Sequence, residues 1–163
     1  FIHPTSFASD RFSAHYLTNI IGNPLDTTVA MHYLIFGGVL ERYPDLKFVL
    51  SHGGAFAAAY AGRMDHAYGA RPDCRENISM PPSFYLEKFY PDSLVFTIEQ
   101  LQYLINRFGA DHVLIGTDYP FDMGEYDPVE HVYQVPGLSS ANRDLICGGN
   151  ALRLMHMTED ECK

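Results

Sequence analysis

The chain has 163 residues, 47% hydrophobic and 19% charged, with a formal net charge of −9. That length suits one domain with a buried core, and the negative balance argues against a nucleic-acid or acidic-membrane partner. No apolar run approaches the roughly 20 residues that a bilayer-spanning helix needs. Cys74, Cys147 and Cys162 form no Cys-x-x-Cys pair. Their odd number predicts reduced thiols, a cytoplasmic setting and no thiolate zinc site.

In chain order, the opening FIHP reads as the end of a strand entered midway, with no Met and no signal peptide. Residues 12–22 and 25–43 are predicted helices. Val29, Tyr33, Phe36, Val39 and Leu40 recur at helical spacing, and Pro24 suits a first helical position. LKFVLS (46–51) is a short apolar strand rich in strand formers. An Ala-rich helix over 55–68 follows, then an irregular loop carrying Pro72, Pro81 and Pro82. YLEKFYPDS (85–93) holds a third strand that Pro91 ends or bulges. Residues 97–109 form a strong helix: Thr97 caps it, Gln100 completes a capping box and Gly109 stops it. HVLIGTD (112–118) is the fourth strand, and two more helices lie near 127–134 and 139–155. With no repeat, low-complexity run or linker, residues 1–163 read as a single domain.

Alternating strands and helices predict a parallel sheet with helical crossovers. Ligands in such folds sit beyond the carboxyl ends of the strands. His3, His52 and Asp118 fall at three such predicted ends. Singly, each has a structural explanation: an aspartate can cap the next helix, and a lone histidine is usually packing. Together, two imidazoles and a carboxylate are the ligands and proton carriers of a catalytic metal site. The pattern points to a metal-dependent hydrolase or lyase. Gly53 and Gly54, after His52, remove side chains where a substrate needs room. His15, His32, His66, His112, His131 and His156 are read as structural, and TEDECK (158–163) as a solvated tail.

The segments HP, LSHGG, GRMDH, KFYPDS, FGADHVLIGTDYPFDMGE and GGNALRL occur in that order over nearly the whole chain. Together they resemble the amidohydrolase-related, metal-dependent decarboxylases of the aminocarboxymuconate-semialdehyde decarboxylase type. The resemblance implies a (β/α)8 TIM-type barrel, of which this chain supplies about the second half. It also implies one divalent metal ion, usually zinc, and a small-molecule carboxylate substrate. By motif, His3 and Asp118 correspond to metal ligands on the fifth and eighth strands, and His52 to the catalytic acid/base on the sixth. In the implied reaction the cation acidifies a bound water, His52 takes or relays a proton, and an unsaturated or aromatic carboxylate loses carbon dioxide. Hydrolysis of an ester, lactone or amide is the alternative at the same residues. A non-catalytic half-barrel that only binds a partner is a third reading.

A complete barrel of this type runs to roughly 250 residues, and the family's His-x-His pair is absent here. The chain is therefore expected to be a fragment or one of two halves. Relatives acting on aminocarboxymuconate carry a tryptophan just after the His-Pro, whereas this chain reads HPTSF and contains no Trp. Arg63, in GRMDH, reads from the sequence as a surface salt-bridge partner of Asp65 or a neighbour. The resemblance instead implies a homodimer in which Arg63 grips the substrate carboxylate in the neighbouring subunit's site.

Overall fold

The computed structural model describes residues 1–5, 7 and 9–162, less the side chains of Glu159 and Cys162. The Cys162 thiol and the last residue of the TEDECK tail lie outside the described residues. The chain divides into two compact units, Phe1–Phe89 and Tyr90–Lys163.

In the first unit, the expected strand at the start of the chain is a single parallel bridge between Ile2 and Leu50. The Ile2 amide donates to the Val49 carbonyl at 2.8 Å, and the Ser51 amide returns to the Ile2 carbonyl at 3.1 Å. Leu50 belongs to β1, Phe48–Leu50. The helix expected over 12–22 is broken: a 3-10 turn, Asp10–Phe12, and a π turn, Thr18–Gly22, flank His15 and Tyr16. Both of those residues take positive φ, which no right-handed helix continues through. The helix expected over 25–43 is α1, Asn23–Phe36, and α2, Val39–Arg42. Gly38, at φ 71°, separates them. The Ala-rich helix is α3, Ala57–Ala70. The proline-bearing loop contains an unforeseen helix, α4, Pro82–Leu86. Asp65 Oδ1 on α3 accepts from the Ser83 amide at 2.9 Å, satisfying a donor that a helix start leaves open. Met31, Ile35, Leu40, Leu50, Ala57, Tyr85, Leu86 and Phe89 are buried to within 1% and form this unit's core.

The strand β2, Phe89–Pro91, begins in the first unit and ends in the second. Within the first unit its first residue, Phe89, packs on Phe48 of β1, ring centroids 5.8 Å apart. Pro91, which has no amide hydrogen to donate, is its last residue. In the second unit the expected fourth strand is again one parallel bridge, Asp92 with Leu114. Here α5, Ile98–Phe108, starts at Thr97, whose side chain accepts from the Gln100 amide; the Thr97 amide donates to the Val95 carbonyl at 2.9 Å and the Gln100 side chain meets the Thr97 hydroxyl instead, so only half of the expected capping box forms. It buries Leu101, Leu104, Ile105 and Phe108, a single helical face. The remaining helices are α6, Pro128–Tyr133; α7, Ser140–Asp144; and α8, Asn150–Met155. A π turn, Leu145–Gly149, splits what the sequence reads as one helix over 139–155. Val113, Val132, Val135 and Ile146 close this core at 1% exposure or less.

Candidate active site

Parallel pairing sets the register of the two histidines. Ile2 lies opposite Leu50, so the chain carries His3 out of the pairing one residue later and His52 two residues beyond Leu50. The two imidazole centroids are 5.1 Å apart, tilted by 58°. His52, Gly53, Gly54 and Ala55 all take positive φ, between 55° and 69°. The run is a left-handed turn, closed by the Gly54 amide on Ser51 and the Ala55 amide on His52. Glycine is the residue for which such φ is free of strain. The two glycines therefore serve the turn, and the turn sends α3 away from the strand end while leaving the imidazole there. Thr28 Oγ1 anchors the far side, donating to the Pro24 carbonyl at 2.8 Å and accepting from the Phe56 amide at 3.1 Å.

Asp118 ends the apolar segment in the second unit, where Val113 is fully buried and Leu114 8% exposed. Its φ is 54°. A closed loop follows. The Phe121 amide donates to Asp118 O at 2.9 Å, Gly124 to Phe121 O at 3.0 Å, and Glu125 to Thr117 O at 2.8 Å. A side chain at Gly124 would come within 2.9 Å of Thr117 O, so the close return needs glycine. Glu125 Oε1 accepts from the Asp127 amide at 3.0 Å, tying the loop to the start of α6. Its other oxygen lies 3.8 Å from Nδ1 of the buried His131. The Tyr119–Pro120 peptide is cis.

Arg63 stands exposed on α3. It makes no ion pair with Asp65 among the described residues, since residues two apart on a helix do not face each other. It lines a groove of about 470 Å³ between α1 and α3, with His32, Phe36, Phe56, Tyr60 and Met64 among the walls. His32 packs on Phe36, centroids 4.3 Å apart, and partial burial there lowers its imidazole's proton affinity.

His3, His52 and Asp118 are each half-buried and each offers one ligand atom. Residues 1–156 match the family described as Amidohydrolase. The chain belongs to the amidohydrolase family. It is 38% identical over 157 residues to the 2-amino-3-carboxymuconate-6-semialdehyde decarboxylase of Dictyostelium discoideum, covering 95% of this chain and 44% of that one. The chain thus spans less than half the length of this curated relative. Among solved structures it resembles 5-carboxyvanillate decarboxylase LigW from Sphingomonas paucimobilis, with a TM-score of 0.85 and 27% identity over 96% of this chain and 49% of that chain. It also resembles dihydroxybenzoic acid decarboxylase from Polaromonas sp. JS666, solved with bound manganese and the inhibitor 2-nitroresorcinol; the TM-score is 0.81 and the identity 25%, over 95% and 48% of the two chains.

The fold is thus that of half an amidohydrolase-type (β/α)8 barrel, as the motif resemblance implied. The strand-end rule singles out His3, His52 and Asp118. Asp92 and Ser93, at the end of β2, are not among them, although the same rule applies to them. Both are buried, at 7% and 1% exposure. The signal is present in FYPDS, where two polar residues follow a strand that Pro91 ends or bulges.

Proposed function

We propose that the full-length protein is a metal-dependent decarboxylase of an unsaturated or aromatic carboxylate. The observation that carries this reading is the pair of half-buried imidazoles, His3 and His52, 5.1 Å apart in the first unit of a family member 38% identical to a carboxymuconate-semialdehyde decarboxylase. His52 and Asp118, moreover, both occupy left-handed backbone, a strain that tends to persist where function demands it.

In this proposal residues 1–163 form one domain, and His3 and Asp118 hold a single divalent ion. An imidazole and a carboxylate suit zinc, and carboxylate suits manganese as well. When bound, the ion supplies positive charge and an acidified water. The protein's own groups do the rest. The bond between the substrate carbon and its carboxylate breaks, carbon dioxide leaves, and that carbon takes up a proton. His52 carries the proton, because an imidazole can give and take one near neutral pH. Arg63 holds the substrate carboxylate with two parallel hydrogen bonds, from the partner subunit of a homodimer. The exposed Val29, Tyr33 and Tyr60 on α1 and α3 support an interface there. Cys74 and Cys147 are free thiols, in keeping with a cytoplasmic setting.

The test compares three variants of the full-length protein by elemental analysis after dialysis and by carbon dioxide release. His3→Ala and Asp118→Asn should lose both metal and activity. His52→Ala should keep its metal and lose activity by orders of magnitude. Loss of the metal from His52→Ala would require the roles of the two histidines to be exchanged.

A further inference from the structure

The backbone that delivers Asp118 leaves its neighbouring strand in an unusual way. The Leu114 amide donates to the Pro91 carbonyl at 2.9 Å, as a parallel ladder requires. The next rung of such a ladder would take the Gly116 amide to the carbonyl two residues after Pro91, that of Ser93. That carbonyl is already turned away and accepts from the Val95 amide at 2.9 Å. The Ser93 hydroxyl stands in its place and accepts from the Gly116 amide at 3.2 Å. A side-chain oxygen thus replaces a backbone one at the point where the two segments part. Asp92 crowds the same residue. A Cβ on Gly116 would lie 2.8 Å from Asp92 Cβ and 2.9 Å from its Oδ2, so the Asp92 side chain occupies the space a side chain there would need. Asp92 is itself held in place, since Oδ1 accepts from the Leu94 amide at 3.1 Å. Ser93 and Asp92 are 1% and 7% exposed, so water competes little for these contacts.

We propose that Ser93 and Asp92 are positioning residues: they clamp Gly116 and so set where Asp118, two residues on, presents its carboxylate to the metal. The inference rests on the reading of Asp118 as a metal ligand. The Ser93 hydroxyl carries the register past the end of the ladder, and the Asp92 side chain fills the space beside Gly116, so that only glycine fits where the chain departs. Sub-ångström placement of a ligand matters because metal coordination tolerates little error in distance.

The test uses the full-length protein and manganese alone as the probe. Ser93→Ala removes the acceptor. The Gly116 amide should then exchange with solvent about tenfold faster, and the manganese dissociation constant should rise by about tenfold, the usual effect of leaving a buried donor unpaired. Ser93→Thr, which keeps the hydroxyl, should restore both. Gly116→Ala, whose methyl would meet Asp92, should weaken manganese binding, and Asp92→Ala alone, which frees the space beside Gly116, should weaken it too; native affinity in Asp92→Ala would overturn the part given to Asp92. Faster Gly116 exchange with unchanged manganese affinity in Ser93→Ala would overturn the clamp, leaving the hydrogen bond merely structural. Unchanged exchange would overturn it as well. Asp118→Asn separates the two readings: if it binds manganese as well as the native protein does, the ligand assignment fails, and the positioning role falls with it.

Discussion

At the scale of single residues, His52 and Asp118 share a backbone conformation that their neighbours in sequence do not announce. Both lie near φ 55°, where a non-glycine residue is strained by roughly 1–3 kcal/mol. Asparagine visits this region more easily than most residues. His52→Asn should therefore melt at the native temperature or a few degrees above it, while carbon dioxide release is abolished. A marked fall in melting temperature would mean that the imidazole stabilises the turn rather than being tolerated in it. The candidate donors stand out in the sequence, because an apolar run followed by one polar side chain marks a strand end. Their conformation does not, since positive φ at His52 belongs to the whole turn His52–Ala55 and not to histidine. Gly53 and Gly54 announced a special backbone, but a sequence cannot tell a turn that needs glycine from a pocket that needs room.

At the scale of elements, local chemistry wrote some boundaries and tertiary contacts wrote others. Helix α5 follows its own sequence, from the Thr97 cap to Gly109. Helix α4 does not: two prolines argued for an irregular loop, yet Pro82 suits a first helical position and Asp65 supplies the missing cap from α3. The fully buried Tyr85 on α4 completes that docking. Its hydroxyl donates to the Glu41 carboxylate, which also accepts from Ser79 Oγ at 2.7 Å, and it accepts from the Met80 amide at 3.2 Å. The Tyr85 hydrogen bond, first among the causes, holds the Glu41 carboxyl below its ordinary value of 4.5. Removing it in Tyr85→Phe should move the Glu41 titration upward, as carbon-detected NMR would read. The Met80 bond alone is worth about 1 kcal/mol, or roughly 2–4 °C in a chain of this size. A carboxyl whose folded value is depressed adds stability at pH above its unfolded value, and that stability is lost as pH falls through the folded one. The gap in melting temperature between native protein and Tyr85→Phe should accordingly be widest above pH 4.5 and narrow below it. A gap that stayed constant with pH would leave Glu41 out of the docking.

At the scale of the whole molecule, the barrel was legible because strand and helix alternate and because motifs recur in family order. The strands themselves were overdrawn: Ile2 and Leu114 contribute single bridges, since pairing partners decide strand length and a sequence does not display them. The same scale governs metal binding. The two ligands proposed, His3 and Asp118, are too few for a tight site, as catalytic zinc usually has three from the protein. The isolated 163-residue chain should thus hold metal weakly or not at all after dialysis, and tight one-to-one metal would mean that the ligand count is wrong. It also governs Arg63. Counted along α3, Arg63 lies roughly 10 Å beyond the start of the helix at 1.5 Å per residue, pointing into a groove and not paired to Asp65. Its task, in the proposed homodimer, is in the partner's site. Arg63→Ala and His52→Ala should each be inactive alone, the first for want of a carboxylate grip and the second for want of a proton carrier. Mixed and allowed to exchange subunits, they form hybrid dimers. In each hybrid, one site takes its histidine from the Arg63→Ala subunit and its arginine from the His52→Ala subunit, and is therefore intact. Random exchange places half of all dimers in the hybrid class, so about a quarter of native turnover should return, provided hybrid assembly is unbiased. Light-scattering mass and exchange of a labelled subunit establish that the hybrids exist; with exchange demonstrated and no activity regained, Arg63 would have to act within its own subunit or not at all.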